Sequence, residues 1–425
     1  MRVNVLLGER RVGALSEITG QTFFQYDDQF LASGLELSPL HLPLAPGVRP
    51  CPLAYLRHLP GLCYDSLPDA WGQRVMERWF RQERQQAAVA PLEQLCFVGD
   101  RGVGALRYEP ALLADDPLRP ALEAALDLRR VELASRALLA GPADRVIPGL
   151  ANLARNGSAG GARPKLWIGL HDAGAQPEVT AGGGPLPAGF TPWLLKLDLG
   201  PRVGTGWREW GRIEHAYALM AAAAGLRTSP TRLILTRGRS GQTRAHFAIA
   251  RFDRGADGRR IHFHSLAGIT EADYNGVIDY REFLSTVMQV CRDHRETVEA
   301  LRRAAFNVAA RVRDDHAKNH GFLFEPATGW RLAPAYDLVY TSPARFPRHA
   351  MPLAGNALAP GLEELRRLAD EAEIPEREAR AVIEQTRAAV RRWPEWAKRA
   401  GVPAATAREI AADLPGRQWP GKGRR

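Results

Sequence analysis

"RVRDDHAKNHG", residues 311–321, sets two carboxylates, two histidines, a lysine and an asparagine within eleven positions. Polar density of this kind ordinarily marks a solvated loop, but the flanks argue otherwise. Upstream, "ETVEALRRAAFNVAARV" places Leu301, Ala305, Val308, Ala309 and Val312 on one face at helical spacing. Downstream, "GFLFE", "PATG" and "WRLAPAYDL" read as strand, turn and strand, with Asp337 at the end. The order is helix, polar loop, hairpin, aspartate.

Carboxylates held between buried elements repel each other unless a cation lies nearby. Phosphoryl transfer from a metal-bound nucleotide uses this order. One aspartate accepts the hydroxyl proton, an asparagine five residues later holds Mg2+, and a further aspartate after a hairpin binds the metals that bridge the phosphates. Asp314 and Asn319 are five apart, and Asp337 follows the hairpin. Asp315 competes for the proton-accepting role, one residue too close to Asn319. A D-x4-N match alone recurs by chance, so the reading needs further support.

Lys196 lies in "WLLKLDL", an otherwise apolar strand pattern, where a lysine is costly unless paired. The plain alternative is an edge-strand lysine facing solvent. Glu214, eighteen residues on, stands near the start of the next predicted helix. It suits either the lysine–glutamate pair of a kinase or a helix first turn. "NGSAGGARPK" supplies glycines at 157, 160 and 161, where backbone N–H groups can approach an anion, and Arg163 and Lys165 add positive charge. The same composition suits a linker, and no Walker A pattern is present. His316 and His320, four apart, could face one side of a helix as zinc ligands, but there is no HExxH. The absence of G-x-S-x-G removes support for a serine hydrolase.

A chain of 425 residues, 45% apolar, predicts two to three globular domains. No apolar run approaches the ~18 residues of a membrane span, and the N-terminus lacks a signal-peptide core, so the expected location is cytoplasmic. Cys51, Cys63, Cys96 and Cys291 form no CxxC pair and read as free thiols. The net charge of +10 favours contact with nucleic acid or an acidic partner, although arginine-rich composition also follows from a GC-rich genome. No zinc-finger, RRM or helix-turn-helix signature is visible. "QTFFQYDDQFL" predicts a strand entering a loop, "DAWGQRVMERWFRQER" a helix with Asp69 as cap, and "GDRGVGAL" a tight turn before a strand. "RIEHAYALMAAAAGL" predicts a helix ended by Gly225, with strands at "TRLILTR" and "RAHFAIARFDR" to follow.

Taken together, "GQTFFQYDDQFL", "DSLPDAWGQRVM", "FVGDRGVGALRYEP", "SAGGARPKLWIGL", "WLLKLD", "IEHAYALMAAAAGL", "ARFDR", "DDHAKNHGFLF" and "LAPAYDL" resemble the HipA-like serine/threonine kinase toxins over roughly residues 3–395. The resemblance implies an α+β fold. Its parts are an N-terminal β-rich subdomain (1–110), a helical connector (111–149), a small-lobe-like ATP-binding region (150–255), a mainly helical catalytic lobe (256–412) and a basic flexible tail (413–425). ATP is expected between the lobes.

The resemblance also implies roles. Asp314 would be the catalytic base, and Asn319 and Asp337 would hold Mg2+. Lys196, His316 and Lys318 would contact ATP, as would Ser158, Ala159, Gly160 and Gly161 of the glycine-rich loop. Glu214 would support Lys196, and Ala250 and Phe252 belong to the segment that meets adenine. Ser158 matches a serine that is autophosphorylated with loss of activity; a phosphate there would occupy the place of the nucleotide's own. Arg163 stands where the family more often has Gln, and Asp315 where it often has Gly. The implied partners are a helix-turn-helix antitoxin, through which DNA is contacted indirectly, and a translation-related protein substrate such as a tRNA-bound aminoacyl-tRNA synthetase. The competing class is a regulator that has lost catalysis and acts in a DNA-bound antitoxin complex.

Overall fold

The computed structural model describes residues 1–113, 126–141, 147, 150–155, 163–172, 177–200, 209–237, 241–255 and 257–415. The chain forms two compact units. The first takes in Met1–Ser38, Leu42–Gly211 and Thr231–His262, the second Pro39–His41, Arg212–Pro230 and Phe263–Arg425.

Short alternating runs build two antiparallel sheets in the first unit. Strands β1 (Arg2–Leu7), β2 (Arg10–Ile18), β3 (Gln21–Tyr26), β4 (Val48–Pro50) and β5 (Leu106–Glu109) pair in the order β4-β3-β2-β1-β5. Val3 and Val5 on β1, and Phe24 and Tyr26 on β3, are buried at the two-residue period of a strand. Strand β3 ends at Tyr26. The run that reads as a loop in the sequence becomes a one-turn helix, Asp28–Leu31, because the Asp27 carboxylate accepts the Gln29 N–H at 3.0 Å. Asp69 occupies the N-cap of the helix Ala70–Arg84 as expected, but its side chain accepts no capping hydrogen bond.

The other sheet has strands β6 (Lys165–His171), β7 (Glu178–Ala181), β8 (Thr191–Lys196), β9 (Thr231–Arg237) and β10 (Thr243–Ala250), in the order β7-β6-β8-β10-β9. Leu166, Ile168, Leu170, Trp193 and Leu195 share one core with Trp71 and Val75 of the helix Ala70–Arg84, Val131, Ala134 and Leu138 of the helix Leu128–Ala140, and Leu153 of the helix Leu150–Arg155. Alternation along β6 and β8 then sends Lys165 and Lys196 to the opposite face.

In the second unit, β11 (His262–Ser265), β12 (Gly321–Glu325) and β13 (Gly329–Leu332) form a three-stranded sheet. Phe283 and Val287 of the helix Tyr280–Cys291, Leu301 and Val308 of His294–Ala309, Leu365 of Leu362–Glu371 and Ile383 of Glu376–Arg391 fill its core. Removing each such side chain from water contributes about 1.5–3 kcal/mol. Sequence punctuation sets the boundaries. Asp279 and Glu282 form a reciprocal capping box, and Asp293 caps the following helix. That helix stops because Arg311 turns left-handed at φ 56°, delivering the chain into the polar segment.

The α+β class expected from the sequence holds. The helix Ala404–Asp413 reaches into the segment expected as a tail, and residues 416–425 lie outside the described residues. All four cysteines are free. Among the described residues no helix is long and apolar enough to cross a membrane.

Candidate functional site

The two adjacent aspartates of the polar segment have opposite environments. Asp315 is 1% exposed. Its Oδ2 accepts from the Tyr280 hydroxyl at 2.9 Å and from His349 Nδ1 at 2.8 Å, while Oδ1 accepts from the N–H of Ala350 at 2.9 Å and of Met351 at 3.4 Å. Tyr280 in turn accepts from Asn307 Nδ2 at 2.8 Å. Both oxygens of Asp315 are committed to holding the chain together. The Asp314 side chain is 47% exposed. Burial of its surroundings pushes its carboxyl above the ordinary range, against the pull of His316, and the neighbouring Asp337 charge pushes it further.

The other residues of the segment close around Asp314. Asn319 Nδ2 donates to the Asp314 carbonyl at 2.7 Å, which leaves Oδ1 as the amide atom able to ligate a cation. His316 Nε2 lies 4.0 Å from Asp314 Oδ1. The short 3-10 turn Ala317–Asn319 is closed by the Asn319 N–H on the His316 carbonyl at 2.8 Å. Tyr336 donates its hydroxyl to the Lys318 carbonyl at 2.7 Å, and Asp337 follows in the left-handed region at φ 55°. Asp314, His316, Lys318, Asn319 and Asp337 therefore belong to one cluster.

Sequence reading missed Tyr274, whose ring lies 5.7 Å from that of His316 and 4.8 Å from Lys318 Nζ. It is over forty residues upstream, and no local spacing signals it. His320, read above as a possible zinc ligand, is enclosed by Tyr280 and Phe283, and burial pushes its imidazole down to about 3. A neutral ring in an aromatic cage fits a core residue.

The cluster fits a hard divalent ion that brings its own partners. Asp314 and Asp337 raise each other's cost of ionisation, and a cation relieves that cost. Among the described residues no three His, Cys, Asp or Glu side chains are grouped to hold a metal by themselves. Mg2+ characteristically takes one or two carboxylates and completes its shell with water and phosphate oxygens.

The basic residues lie in the first unit. Strand β8 is central, flanked by β6 and β10, and Lys196 is 7% exposed, so it is not an edge lysine in solvent. Its ladder partners are Lys165 on β6 and Phe247 on β10, and its Nζ lies 5.8 Å from the Phe247 ring. Lys165, 4% exposed, is read in the sequence as positive charge of the glycine-rich loop; it lies instead on β6, opposite Lys196. Directly opposed residues share a face, so the sheet carries two buried ammonium groups side by side. Arg163 places its guanidinium 4.1 Å from the Trp210 ring. Ser158, Ala159, Gly160 and Gly161 lie outside the described residues. Ala250 closes β10 opposite Trp193, and Phe252 sits in the turn beyond it. Glu214, 3% exposed, is buried in the helix Trp210–Ala223 and belongs to the second unit, Lys196 to the first.

The "ARFDR" segment also does structural work. Asp253 accepts the Gly104 N–H at 2.7 Å and pairs with Arg251 and Arg254, while Arg254 donates to the Gly104 carbonyl at 3.0 Å. Burial opposes ionisation of Asp253, but the two guanidinium groups outweigh it and hold the carboxyl well below its usual range. The "GDRGVGAL" turn is thus held by arginines from a segment about 150 residues away.

Fold and site together define an α+β protein with a buried lysine pair on one sheet and an acidic, metal-suited cluster after a core helix. The chain belongs to the HipA family: the HipA-like C-terminal domain matches residues 157–393, and the HipA N-terminal domain matches residues 3–109. Among solved structures it is similar to the complex of Shewanella oneidensis MR-1 HipA, HipB and operator DNA. Identity is 17% and the TM-score 0.66, over 96% of this chain and 94% of that chain, a likeness of fold. The Helicobacter pylori proinflammatory kinase CtkA is similar over 53% of this chain and 91% of that chain at 10% identity; its TM-score of 0.30 is too low to carry an argument. No curated protein matched the chain.

Proposed function

We propose that the chain is an ATP-dependent protein serine/threonine kinase and the toxin of a toxin–antitoxin pair. The observation that carries this reading is the division of labour between Asp314 and Asp315. One carboxylate is spent on structure, and the other stands half-exposed beside an asparagine amide and the charge of Asp337. Asp314 takes the proton from a protein Ser or Thr hydroxyl as the γ-phosphate moves. Asn319 and Asp337 are the residues to hold Mg2+, which would neutralise phosphate charge when bound. Lys196, with Lys165, neutralises the phosphates from the sheet, and His316 and Lys318 contact the nucleotide. Ala250 and Phe252 meet adenine through their backbone. Glu214 supports the lysine, and Ser158 is the site of autophosphorylation in a loop that includes Ala159, Gly160 and Gly161. Rate enhancement comes from positioning and electrostatics, with no covalent intermediate on the protein.

The partner most in keeping with family membership is a small DNA-binding antitoxin, as HipB accompanies HipA in the Shewanella complex. Contact with DNA is then indirect. The net charge of +10 suits an acidic surface, including a tRNA-bound aminoacyl-tRNA synthetase as substrate. Incubation of the full chain with labelled ATP and Mg2+ tests the reading. Label on wild type that is absent from Asp314→Ala supports the kinase. Absence of transfer under every condition, with tight binding to a helix-turn-helix partner, replaces it by the regulator without catalysis.

A further inference from the structure

A buried polar network in the first unit lies outside every role assigned above. Glu132, on the helix Leu128–Ala140, and His246, on β10, are 5% and 0% exposed. Glu132 Oε1 accepts from the Thr236 hydroxyl at 2.8 Å and meets His246 Nε2 at 3.0 Å, and its Oε2 accepts from Arg244. Burial opposes ionisation of this carboxyl, but the hydrogen bonds from His246 and Thr236 and the charge of Arg244 outweigh it and draw the group below the ordinary carboxylate range. The other nitrogen of His246, Nδ1, accepts the backbone N–H of Asp198 at 2.9 Å. An accepting Nδ1 carries no proton, so Nε2–H is the donor toward Glu132, and the ring has one tautomer and one orientation.

Asp198 lies two residues beyond Lys196. Its own carboxylate accepts the N–H of Gly200 at 2.9 Å and of Gly211 at 3.4 Å. His246 also precedes Phe247, the ladder partner of Lys196. The chain leaving β8 is therefore gripped by an imidazole whose far side is gripped by the connector helix. Resting on the reading of Lys196 as a phosphate ligand, we propose that Glu132 and His246 are a positioning pair: through them the connector helix sets the end of β8, and with it Lys196, for nucleotide binding. A helix anchor without this role would leave nucleotide affinity unchanged once the fold is intact.

The test uses the full chain with His246→Asn, His246→Phe and Glu132→Gln. Asn offers an Oδ1 close to the position of Nδ1 and keeps the acceptor for Asp198, whereas Phe keeps only the volume. Calorimetry reads ATP affinity in the presence of Mg2+, and deuterium exchange reads the amide of Asp198. His246→Phe is expected to weaken ATP binding roughly tenfold and to release the Asp198 amide, with His246→Asn within about threefold of wild type on both. A folded His246→Phe with wild-type affinity and a protected Asp198 amide overturns the proposal. If His246→Phe does not fold, Glu132→Gln decides: weaker ATP binding with faster Asp198 exchange supports the pair, and wild-type values on both overturn it. If wild type itself binds no ATP, the kinase reading fails separately. The exchange arm then judges the grip on β8, and an Asp198 amide indifferent to His246→Phe overturns it.

Discussion

Lys165 and Lys196 are direct ladder partners on β6 and β8, and both are buried. Two lysines on one face of a sheet form a place suited to a polyanion. Lys165→Met and Lys196→Met keep most of the volume and remove the charge. Each is expected to lower the phosphoryl-transfer rate by about 10²–10³-fold, the scale for losing one electrostatic clamp. Each is also expected to shrink the rise in melting temperature that, on the proposed reading, Mg2+–ATP is expected to give the wild type. Initial rates and thermal shift measure the two effects; full activity in Lys165→Met would remove that lysine from the phosphate site.

Asp314 and Asp315 are expected to separate cleanly under substitution. Asp315→Ala leaves Tyr280, His349 and two backbone N–H groups without their buried acceptor. Losing one member of such a network costs about 3–5 kcal/mol, visible as a large fall in melting temperature. Asp314→Ala removes a side chain that accepts no such bonds and that burial and Asp337 already disfavour as an anion. Its melting temperature should match or exceed wild type at neutral pH while transfer is lost. Equal stability of both variants would contradict this division.

Glu132 makes stability depend on pH in a defined window. Its carboxyl is held at about 2 against an ordinary 4.5, so the folded state favours the ionised form. The contribution is present above about 4.5 and is lost as pH falls through about 2. Glu132→Gln should therefore melt well below wild type at pH 7, with the gap closing steadily between pH 4.5 and 2. A gap constant across that range would show that packing, not charge, accounts for the loss.

The sequence carries local information well and long-range information poorly. Helix periodicity in "ETVEALRRAAFNVAARV" placed the helix His294–Ala309, because the spacing of Leu301, Ala305 and Val308 is a signal within two turns; the capping aspartates Asp279 and Asp293 emerge only with the structure. The D-x4-N spacing also brought Asp314 and Asn319 together, since a loop that short leaves few alternatives. The commitment of Asp315 was not legible. Its partners come from residues 280 and 349–351, thirty or more positions away on either side. The register that opposes Lys165 to Lys196 was hidden for the same reason, as was the grip of Asp253 on the turn at Gly104, which needs residues 149 positions apart.

The C-terminal helix Ala404–Asp413 ends on the segment that leads into Asp314, which gives a last test. Asp413 Oδ2 accepts from Arg313 Nη1 at 3.2 Å, from Arg313 Nη2 at 3.3 Å and from the Tyr340 hydroxyl at 3.0 Å. Its main-chain oxygen accepts from Arg311 Nε at 3.2 Å. Arg313, 5% exposed, also donates its backbone N–H to the Thr341 hydroxyl, so the residue before Asp314 is held by the helix Ala404–Asp413 and by the loop at Thr341. Asp413→Ala takes the carboxylate from a buried guanidinium and leaves it the Thr341 carbonyl, and should cost about 2–4 kcal/mol. Because Arg313 sets the backbone from which Asp314 projects, kcat should fall more than KM rises. Asp413→Asn, which keeps one accepting oxygen, should recover part of both. Melting curves and steady-state rates on the three proteins decide the matter, and an Asp413→Ala chain with native melting temperature and native kcat would show that the helix Ala404–Asp413 does not fix the segment around Asp314.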